Sequence, residues 1–264
     1  MKTWKEAVKE YYRFNNMGKN DFTYRKYLDP ILENKDINTI TKQDILEIRS
    51  GIKAAPGTIN RYLSYFRAIL MYAYEELGWL DTKPIIKRVK ESPKRSKFFT
   101  LEQIERLKNA LPQHLVNPFI FSLLTGLRMS NCLNLKWVNI HGNQIAIDGI
   151  ETKNNKNLCV PLNKKSLELL GSIKKTSPYV FTYAGRKINR ASNTGWYNAL
   201  KKSGLEGYRW HDLRHTWATN HVQNGTPLHT LQHLGGWSDF NIVNRYAHLS
   251  KDYLTDACEN SSLF

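Results

Sequence analysis

The chain has little cysteine, no long apolar run and far fewer acidic than basic side chains. Its three cysteines, Cys132, Cys159 and Cys258, are odd in number and widely spaced, without a C-x-x-C pair. They are therefore expected to be reduced thiols, not a disulfide framework or a zinc site. The N-terminus lacks an apolar signal-peptide core, and no segment is apolar for long enough to cross a bilayer. These absences predict a cytoplasmic protein with no membrane partner.

The charge balance points to a polyanionic partner. Lys and Arg total 39 against 23 Asp and Glu, a net charge of +16. Residues 1–97 carry 20 basic and 12 acidic side chains and residues 98–264 carry 19 and 11, so each part has a net charge of +8. Hydrophobic residues make up 41%, as in globular proteins. On charge alone, a nucleic-acid partner and a charge that only aids solubility both remain open.

Helical periodicity dominates the first third of the chain. Apolar residues recur three and four positions apart from Trp4 to Tyr12 and again from Phe22 to Leu32. Thr41 and Asp44 have the spacing of a capping box. A long apolar stripe follows Pro56-Gly57, with Thr58 as the expected cap and Gly78 as the expected end. The pattern predicts a bundle of four helices over residues 1–88.

A basic stretch then separates this bundle from the rest of the chain. The segment 87–97 reads KRVKESPKRSK and contains the helix-breaking Pro93. Residues 89–97 are therefore predicted to be an interdomain linker. A linker that lies along a phosphate backbone and a simple solvated charge run fit this composition equally well.

Residues 98–264 predict a second domain with mixed secondary structure. Thr100 with Gln103 has capping-box spacing, and helical patterns continue to Thr125-Gly126. Alternating apolar residues then predict a hairpin, with a turn over 153–157 between Ile145–Ile150 and Leu158–Leu162. From Lys165 onward the pattern is mostly helical. The predicted fold is mainly α with a small antiparallel β-sheet, an α+β second domain after a helical bundle.

Chemically capable residues occur in four clusters along this second domain. Taken singly, each has an ordinary structural explanation: a surface arginine, a solvated hairpin lysine, an Asp212 that caps a helix beside a core histidine, and a packed aromatic. In chain order the clusters are Thr125-Gly126-Leu127-Arg128, Lys153 in the predicted turn, His211-Asp212-Leu213-Arg214-His215-Thr216, and Leu234-Gly235-Gly236-Trp237 with Tyr246 nine residues later.

Together and in this order, the clusters resemble the tyrosine recombinases and phage integrases. The resemblance extends over nearly the whole chain and implies three parts: a helical core-type DNA-binding domain at 1–88, a basic linker at 89–97 and a catalytic domain at 98–264. It also implies double-stranded DNA as partner, a homo-tetramer in the synaptic complex, accessory DNA-bending proteins, and a location in the cytoplasm or nucleoid of a bacterial host. The chain departs from the family pattern at Asn131, where an acidic residue is common.

The residue types in these clusters suit phosphodiester chemistry. Two guanidinium groups, Arg128 and Arg214, can bind the nonbridging oxygens of a phosphate as its charge grows. Tyr246 is the candidate nucleophile, with His211 as its proton acceptor or as a phosphate donor. Lys153, or alternatively Lys156, is the candidate general acid for the leaving 5′ oxygen.

Trp237 offers an indole N–H to phosphate and an apolar wall for the nucleophile. Attack by Tyr246 would leave a 3′-phosphotyrosine, which conserves the energy of the broken phosphodiester bond. No ATP, metal or other cofactor is therefore expected.

The resemblance implies an enzyme that integrates or excises a phage or mobile element, and two rival functions remain. A type IB topoisomerase uses similar chemistry to relax DNA, and a catalytically silent DNA-binding regulator could retain the fold. The helical first domain and the Leu-Gly-Gly-Trp string favour the recombinase over the topoisomerase. The first helix begins so early that no arm-type DNA-binding domain precedes it, which fits either a simple-site enzyme or a piece of a longer protein.

Overall fold

The computed structural model describes residues 1–91, 97–149 and 157–249. Within them the fold is mainly helical with small antiparallel sheets, which confirms the predicted fold class. The chain divides into two compact units, Met1–Lys94 and Arg95–Phe264. Over the described ranges, no helix is long and apolar enough to cross a membrane.

The N-terminal unit is a helical bundle whose apolar core includes Trp4 and Phe66. The predicted Thr41–Asp44 capping box is present, and Thr3 with Glu6 forms another. The predicted cap Thr58 is wrong, because Ala55 precedes the first helical turn and proline occupies its first position, where no N–H is needed. The helices are α1 (Trp4–Phe14), α2 (Asp21–Leu32), α3 (Lys42–Gly51) and α4 (Pro56–Glu75), with a 3₁₀ turn at Ile37–Thr39.

The second unit, called here the catalytic unit, begins its helices at the predicted Thr100–Gln103 capping box. Its helices are α5 (Leu101–Ala110), α6 (Gln113–Thr125), α7 (Met129–Leu133), α8 (Lys164–Gly171), α9 (Thr194–Lys202), α10 (His211–Gln223), α11 (Leu228–Gly235) and α12 (Phe240–Asn244). Short 3₁₀ turns lie at Trp137–Asn139 and Ala247–Leu249. Helix α10 packs against both α6 and α11, and this arrangement brings distant parts of the sequence together.

The strands of the catalytic unit form two small antiparallel sheets. They are β1 (Ile140–His141), β2 (Gln144–Ile147), β3 (Leu158–Pro161), β4 (Thr182–Tyr183) and β5 (Arg186–Lys187). The predicted pairing of these two strands is confirmed, and in the observed register Ile145 pairs with Val160 and Ile147 with Leu158. Its predicted turn, with Lys153, lies outside the described residues. The β4–β5 hairpin, which falls within the stretch predicted to be mostly helical, and β1 were not predicted, because strands of two residues are too short to show alternation.

Candidate active site

Arg128 follows a tight helix end that only glycine can make. Helix α6 ends at Gly126 in the left-handed region, with φ of 63°. A Cβ at Gly126 would lie 2.3 Å from the indole of Trp217 on α10, so the position requires glycine for space as well as for backbone conformation. Two residues later, Arg128 stands immediately before α7 and is half-buried. The turn therefore holds Arg128 beside α10.

Arg214 joins three separate segments of the chain through one guanidinium. It is 4% exposed on α10 and donates hydrogen bonds to the carbonyl oxygens of Gly126, at 2.6 Å, and Gly235, at 2.5 Å. Its Cζ lies 4.0 Å from the ring centroid of Trp237, within cation–π distance. Burial, and then the charge of Arg128, lower its pKa to about 9, so Arg214 is still a cation at neutral pH.

The two arginines of this site, Arg128 and Arg214, are not paired with carboxylates in the part of the chain that the structure describes. Burial also lowers the pKa of Arg128, although a guanidinium stays protonated in proteins. Two uncompensated guanidinium groups in a partly buried position strongly favour an anionic ligand.

Two histidines on α10 extend the cluster. His211 and His215 are one helical turn apart, and their rings meet edge to face with centroids 5.0 Å apart. Burial lowers the pKa of His215 to about 4, helped by Arg245 and Arg214. Partial burial of the ring also lowers the pKa of His211, although that residue is exposed at the surface overall. Both imidazoles are therefore neutral at pH 7.

The start of α10 is fixed by Asp212. Its carboxylate accepts the backbone N–H of Arg209 at 2.7 Å, and its carbonyl oxygen accepts the hydroxyl of Thr216. That hydroxyl also accepts the backbone N–H of Phe99 at 2.9 Å. Helix α10 has no side-chain cap at its N-cap residue Trp210, so the expected capping role of Asp212 is wrong. Asp212 lies within the first turn instead and ties that turn to the preceding Arg209.

Tyr246 lies in an apolar cluster of its own, just after α12. The residue is 1% exposed, packed with Trp237, Val243 and other apolar side chains. Its hydroxyl lies 2.5 Å from Nδ1 of His215. Burial raises the pKa of Tyr246 to about 12, partly offset by the nearby charges of Arg245 and Arg214. The hydroxyl is therefore protonated and hydrogen-bonded in this structure.

Trp237 forms the wall between the cations and the tyrosine. Gly235 and Gly236 end α11, and a Cβ at Gly235 would lie 2.0 Å from the Trp237 indole. Trp237 is 9% exposed, and its ring lies 6.4 Å from that of Tyr246. Because the same indole also faces Arg214, substitution of Gly235 would disturb the arginine and the tyrosine together.

The structure brings together five of the six predicted site residues: Arg128, His211, Arg214, Trp237 and Tyr246. Lys153 and its alternative Lys156 lie outside the described residues. Asn131 is buried on α7 and accepts a hydrogen bond from Ser130 at 3.5 Å.

Sequence reasoning gave no role to His215 or Arg245, although both lie beside the predicted nucleophile. A signal for His215 was present: it follows Arg214 directly and lies four residues after His211, the spacing of one helix face. His211 was the predicted proton acceptor, whereas the tyrosine hydroxyl contacts His215.

Within the described parts of the chain, no three His, Cys, Asp or Glu side chains are grouped so as to hold a metal ion. Cys132 is a buried free thiol and Cys159 an exposed one, as predicted, and Cys258 lies outside the described residues.

Comparison with known proteins identifies the family of this chain. Residues 97–252 match the phage integrase family, so the chain belongs to that family. The integrase of Salmonella phage P22 is 36% identical over 219 residues, which are 77% of this chain and 57% of the relative; the chain thus spans little more than half of that protein.

Two solved structures share the fold. A lambda integrase(75–356) dimer bound to a COC′ core site has a TM-score of 0.78 at 18% identity, with 92% of this chain and 95% of that chain covered. A lambda integrase tetramer bound to a Holliday junction has a TM-score of 0.72 at 18% identity, with coverage of 92% and 77%. At this identity the likeness concerns the fold.

Proposed function

We propose that this protein is a site-specific DNA recombinase that integrates or excises a phage or mobile element. It cuts and rejoins DNA through a 3′-phosphotyrosine at Tyr246, without metal or ATP. The observation that carries the proposal is that two arginines, neither in an ion pair with a described residue, meet a buried tyrosine at one site. One guanidinium, Arg214, contacts the turns that carry Arg128 and Trp237, and Trp237 packs against Tyr246.

The two arginines supply the electrostatic part of the reaction. Attack on a phosphodiester increases the negative charge on the nonbridging oxygens, and guanidinium donors fixed in advance stabilise that charge without reorganisation. Arg214 is already held by two carbonyl oxygens, so its orientation is set before DNA binds. Arg128 is half-buried and has no carboxylate partner among the described residues, which leaves it available to a phosphate.

His211 and Lys153 complete the proposed chemistry. His211 is neutral and more exposed than its neighbours, so it can donate a hydrogen bond to a phosphate oxygen. Lys153 donates a proton to the departing 5′ oxygen, which is otherwise a poor leaving group. Trp237 supports the tyrosine and can add its indole N–H to the phosphate contacts.

DNA is the proposed partner of both units. Residues 1–88 form the proposed core-type DNA-binding domain, 89–97 the linker and 98–264 the catalytic domain. Each of the two basic parts of the chain has a net charge of +8, which suits a duplex bound by both. The DNA-bound dimer and tetramer of lambda integrase support a tetramer of this chain in the synaptic complex, with accessory DNA-bending proteins as further partners.

The first test removes one oxygen atom. Tyr246→Phe is expected to abolish covalent attachment to a nicked suicide substrate carrying the attachment site, with DNA affinity unchanged, because only the nucleophilic hydroxyl is lost. Tyr197→Phe, at an exposed tyrosine of α9, is the matched control and should form the adduct at the wild-type rate. Adduct yield is measured on denaturing gels and affinity by titration.

Three results would contradict the proposal. An adduct in Tyr246→Phe means that another nucleophile acts. Absence of any wild-type adduct indicates a silent DNA-binding regulator. Relaxation of supercoiled DNA without exchange between two attachment sites indicates a type IB topoisomerase.

A further inference from the structure

His215 is the titratable group that the reaction described above leaves without a task. It is half-buried on α10, and its Nδ1 lies 2.5 Å from the hydroxyl of Tyr246. We infer that His215, and not His211, accepts the proton of Tyr246 when the tyrosine attacks DNA. This inference rests on the proposed function and assigns separate tasks to the two histidines.

The direction of the hydrogen bond follows from the surroundings of the pair. Burial and two arginines keep the imidazole of His215 neutral, with a pKa of about 4, and burial keeps the phenol of Tyr246 protonated. A neutral imidazole has one N–H and one acceptor nitrogen. The arrangement that uses both groups well is a phenol O–H donated to Nδ1, with the imidazole proton on Nε2.

His211 is placed for a different contact. Its ring meets the ring of His215 edge to face, with centroids 5.0 Å apart, and the residue is exposed. It lies next to the cations Arg128 and Arg214, whose charges contribute to its lowered pKa. His211 therefore faces the place that a phosphate would occupy, whereas His215 is the histidine in contact with the phenol.

The proposed step exchanges one phosphoester bond for another and moves two protons. The Oη of Tyr246 bonds to phosphorus, the bond from phosphorus to the 5′ oxygen breaks, and the phenol proton passes to Nδ1 of His215. The 5′ oxygen takes its proton from the general acid, proposed as Lys153. When the 5′ hydroxyl attacks in the reverse direction, His215 returns its proton to the released tyrosine oxygen.

Charged groups around His215 make this transfer depend on DNA. On its own helix it faces His211 and Arg214, and after α12 it faces Arg245 and Tyr246. The following turn carries the exposed His248. A phosphate held by Arg214 would cancel part of the positive field that opposes a second proton on His215. The tyrosine is thus expected to stay protonated until its substrate arrives.

The main test is His215→Asn. An asparagine oxygen can reach the position of Nδ1 and accept the phenol hydrogen bond, but it cannot take up a proton. Single-turnover cleavage of a suicide substrate is expected to slow by about 10²-fold to 10⁴-fold, the usual contribution of a general base. DNA affinity and thermal stability should be unchanged. His221→Asn on the same helix is the matched control, since that imidazole is also partly buried and bonded to a hydroxyl, Thr226.

A second measurement separates proton transfer from structural support. Fluorinated tyrosine at position 246 has a more acidic phenol, so the defect of His215→Asn should shrink with fluorination, while that of His211→Asn should not. Cleavage by His215→Asn at the wild-type rate would overturn the inference. An equal defect with both tyrosines would do the same, because it would mark His215 as structural support only.

A third measurement needs no DNA. Nitrogen NMR of the free protein should show His215 with an unprotonated Nδ1, and Tyr246→Phe should shift that signal. An unchanged signal would overturn the contact even if His215→Asn fails to fold. Absence of a wild-type adduct, with the NMR contact present, would contradict the proposed function, whereas a normal wild-type adduct with the NMR contact absent would contradict the role of His215 alone.

Discussion

The two units of this chain differ in the partners of their charged and buried polar side chains. In the described part of the N-terminal unit, several basic side chains form ion pairs with acids, among them Lys5–Glu33, Arg25–Asp29 and Lys35–Asp44. Across the described residues of the catalytic unit, the ion pairs lie on α5, between Arg106 and Glu102 and between Lys108 and Glu105. Residues 1–97 and 98–264 each carry a net charge of +8, but the catalytic unit places two arginines, Arg128 and Arg214, together in a partly buried position where neither forms an ion pair with a described residue.

Buried polar groups show the same contrast. Asn60 is 2% exposed in the N-terminal unit, and its amide exchanges hydrogen bonds with both backbone groups of Val89 and with Glu91. All of these partners belong to the protein itself, so the hydrogen bonds of the Asn60 amide are made within the fold. Arg214 is nearly as buried, but its two carbonyl partners leave its positive charge uncompensated. The difference distinguishes a group that stabilises the fold from one that is kept ready for a ligand.

The largest difference between the two units is expected when one guanidinium is removed from each of them. Arg214→Lys is expected to slow suicide-substrate cleavage by about 10²-fold to 10³-fold, or about 3–4 kcal/mol, because lysine cannot present two parallel donors. Arg25→Lys, which alters a surface pair with Asp29, should change the free energy of unfolding by about 0.5 kcal/mol or less.

Single-turnover rates at saturating protein and urea denaturation measure the two effects. A near-normal cleavage rate in Arg214→Lys would remove the phosphate-binding assignment of this residue, since the geometry of its two carbonyl bonds would then be dispensable.

Two glycines with nearly the same backbone conformation sharpen the comparison further. Gly126, at φ of 63°, and Gly78, at φ of 60°, are both left-handed. A Cβ at Gly126 would lie 2.3 Å from Trp217, whereas nothing lies within 4 Å at Gly78. Alanine is therefore expected to cost about 1 kcal/mol at Gly78, from the backbone alone, and about 2–3 kcal/mol at Gly126, where packing strain is added.

Gly126→Ala should also slow cleavage, because the displaced carbonyl accepts a hydrogen bond from Arg214. Urea denaturation and single-turnover cleavage of both variants measure the difference. Equal costs at the two positions would show that the indole of Trp217 moves aside freely and that the turn before Arg128 is not rigid.

Local sequence signals predicted the parts of the fold that local chemistry decides. The capping boxes at Thr41 and Thr100 and the helix end at Gly126 depend on residues within one turn, and all three were predicted correctly. The pairing of β2 with β3 was predicted from the alternation of apolar residues in both strands. The predicted end of α4 at Gly78 is wrong, since the helix ends at Glu75.

The site could be predicted only as a set of side chains. Motif order identified Arg128, Arg214 and Tyr246, but it could not show that backbone carbonyls of two glycines hold the guanidinium, since a carbonyl has no sequence signature. It also could not identify which histidine meets the tyrosine. That contact depends on how the segment after α12 packs on α10. It joins His215 and Tyr246, which are 31 residues apart in sequence.

The smallest expected effect uses pH to separate the two units. The N-terminal unit contains no histidine, and its Asp44, held by Lys35 and Thr41, has a pKa of about 2. In the catalytic unit, the pKa of His215 lies at about 4 in the folded state against 6.5 for a free imidazole. The unfolded chain therefore binds more protons than the folded chain between these values, and the stability of the catalytic unit falls as the pH falls.

Acidification from pH 7.5 to 5.5 is expected to lower the free energy of unfolding of the catalytic unit by about 1 kcal/mol for His215. The N-terminal unit should be unaffected, because the contribution of Asp44 is lost only as the pH falls from 3.8 towards 2. Hydrogen exchange on the full chain reports the two units separately. His215→Asn should reduce the slope in the catalytic unit, and Asp44→Asn should leave it unchanged. An equal loss of unfolding free energy in both units at pH 5.5 would mean that the lowered pKa of His215 does not distinguish them.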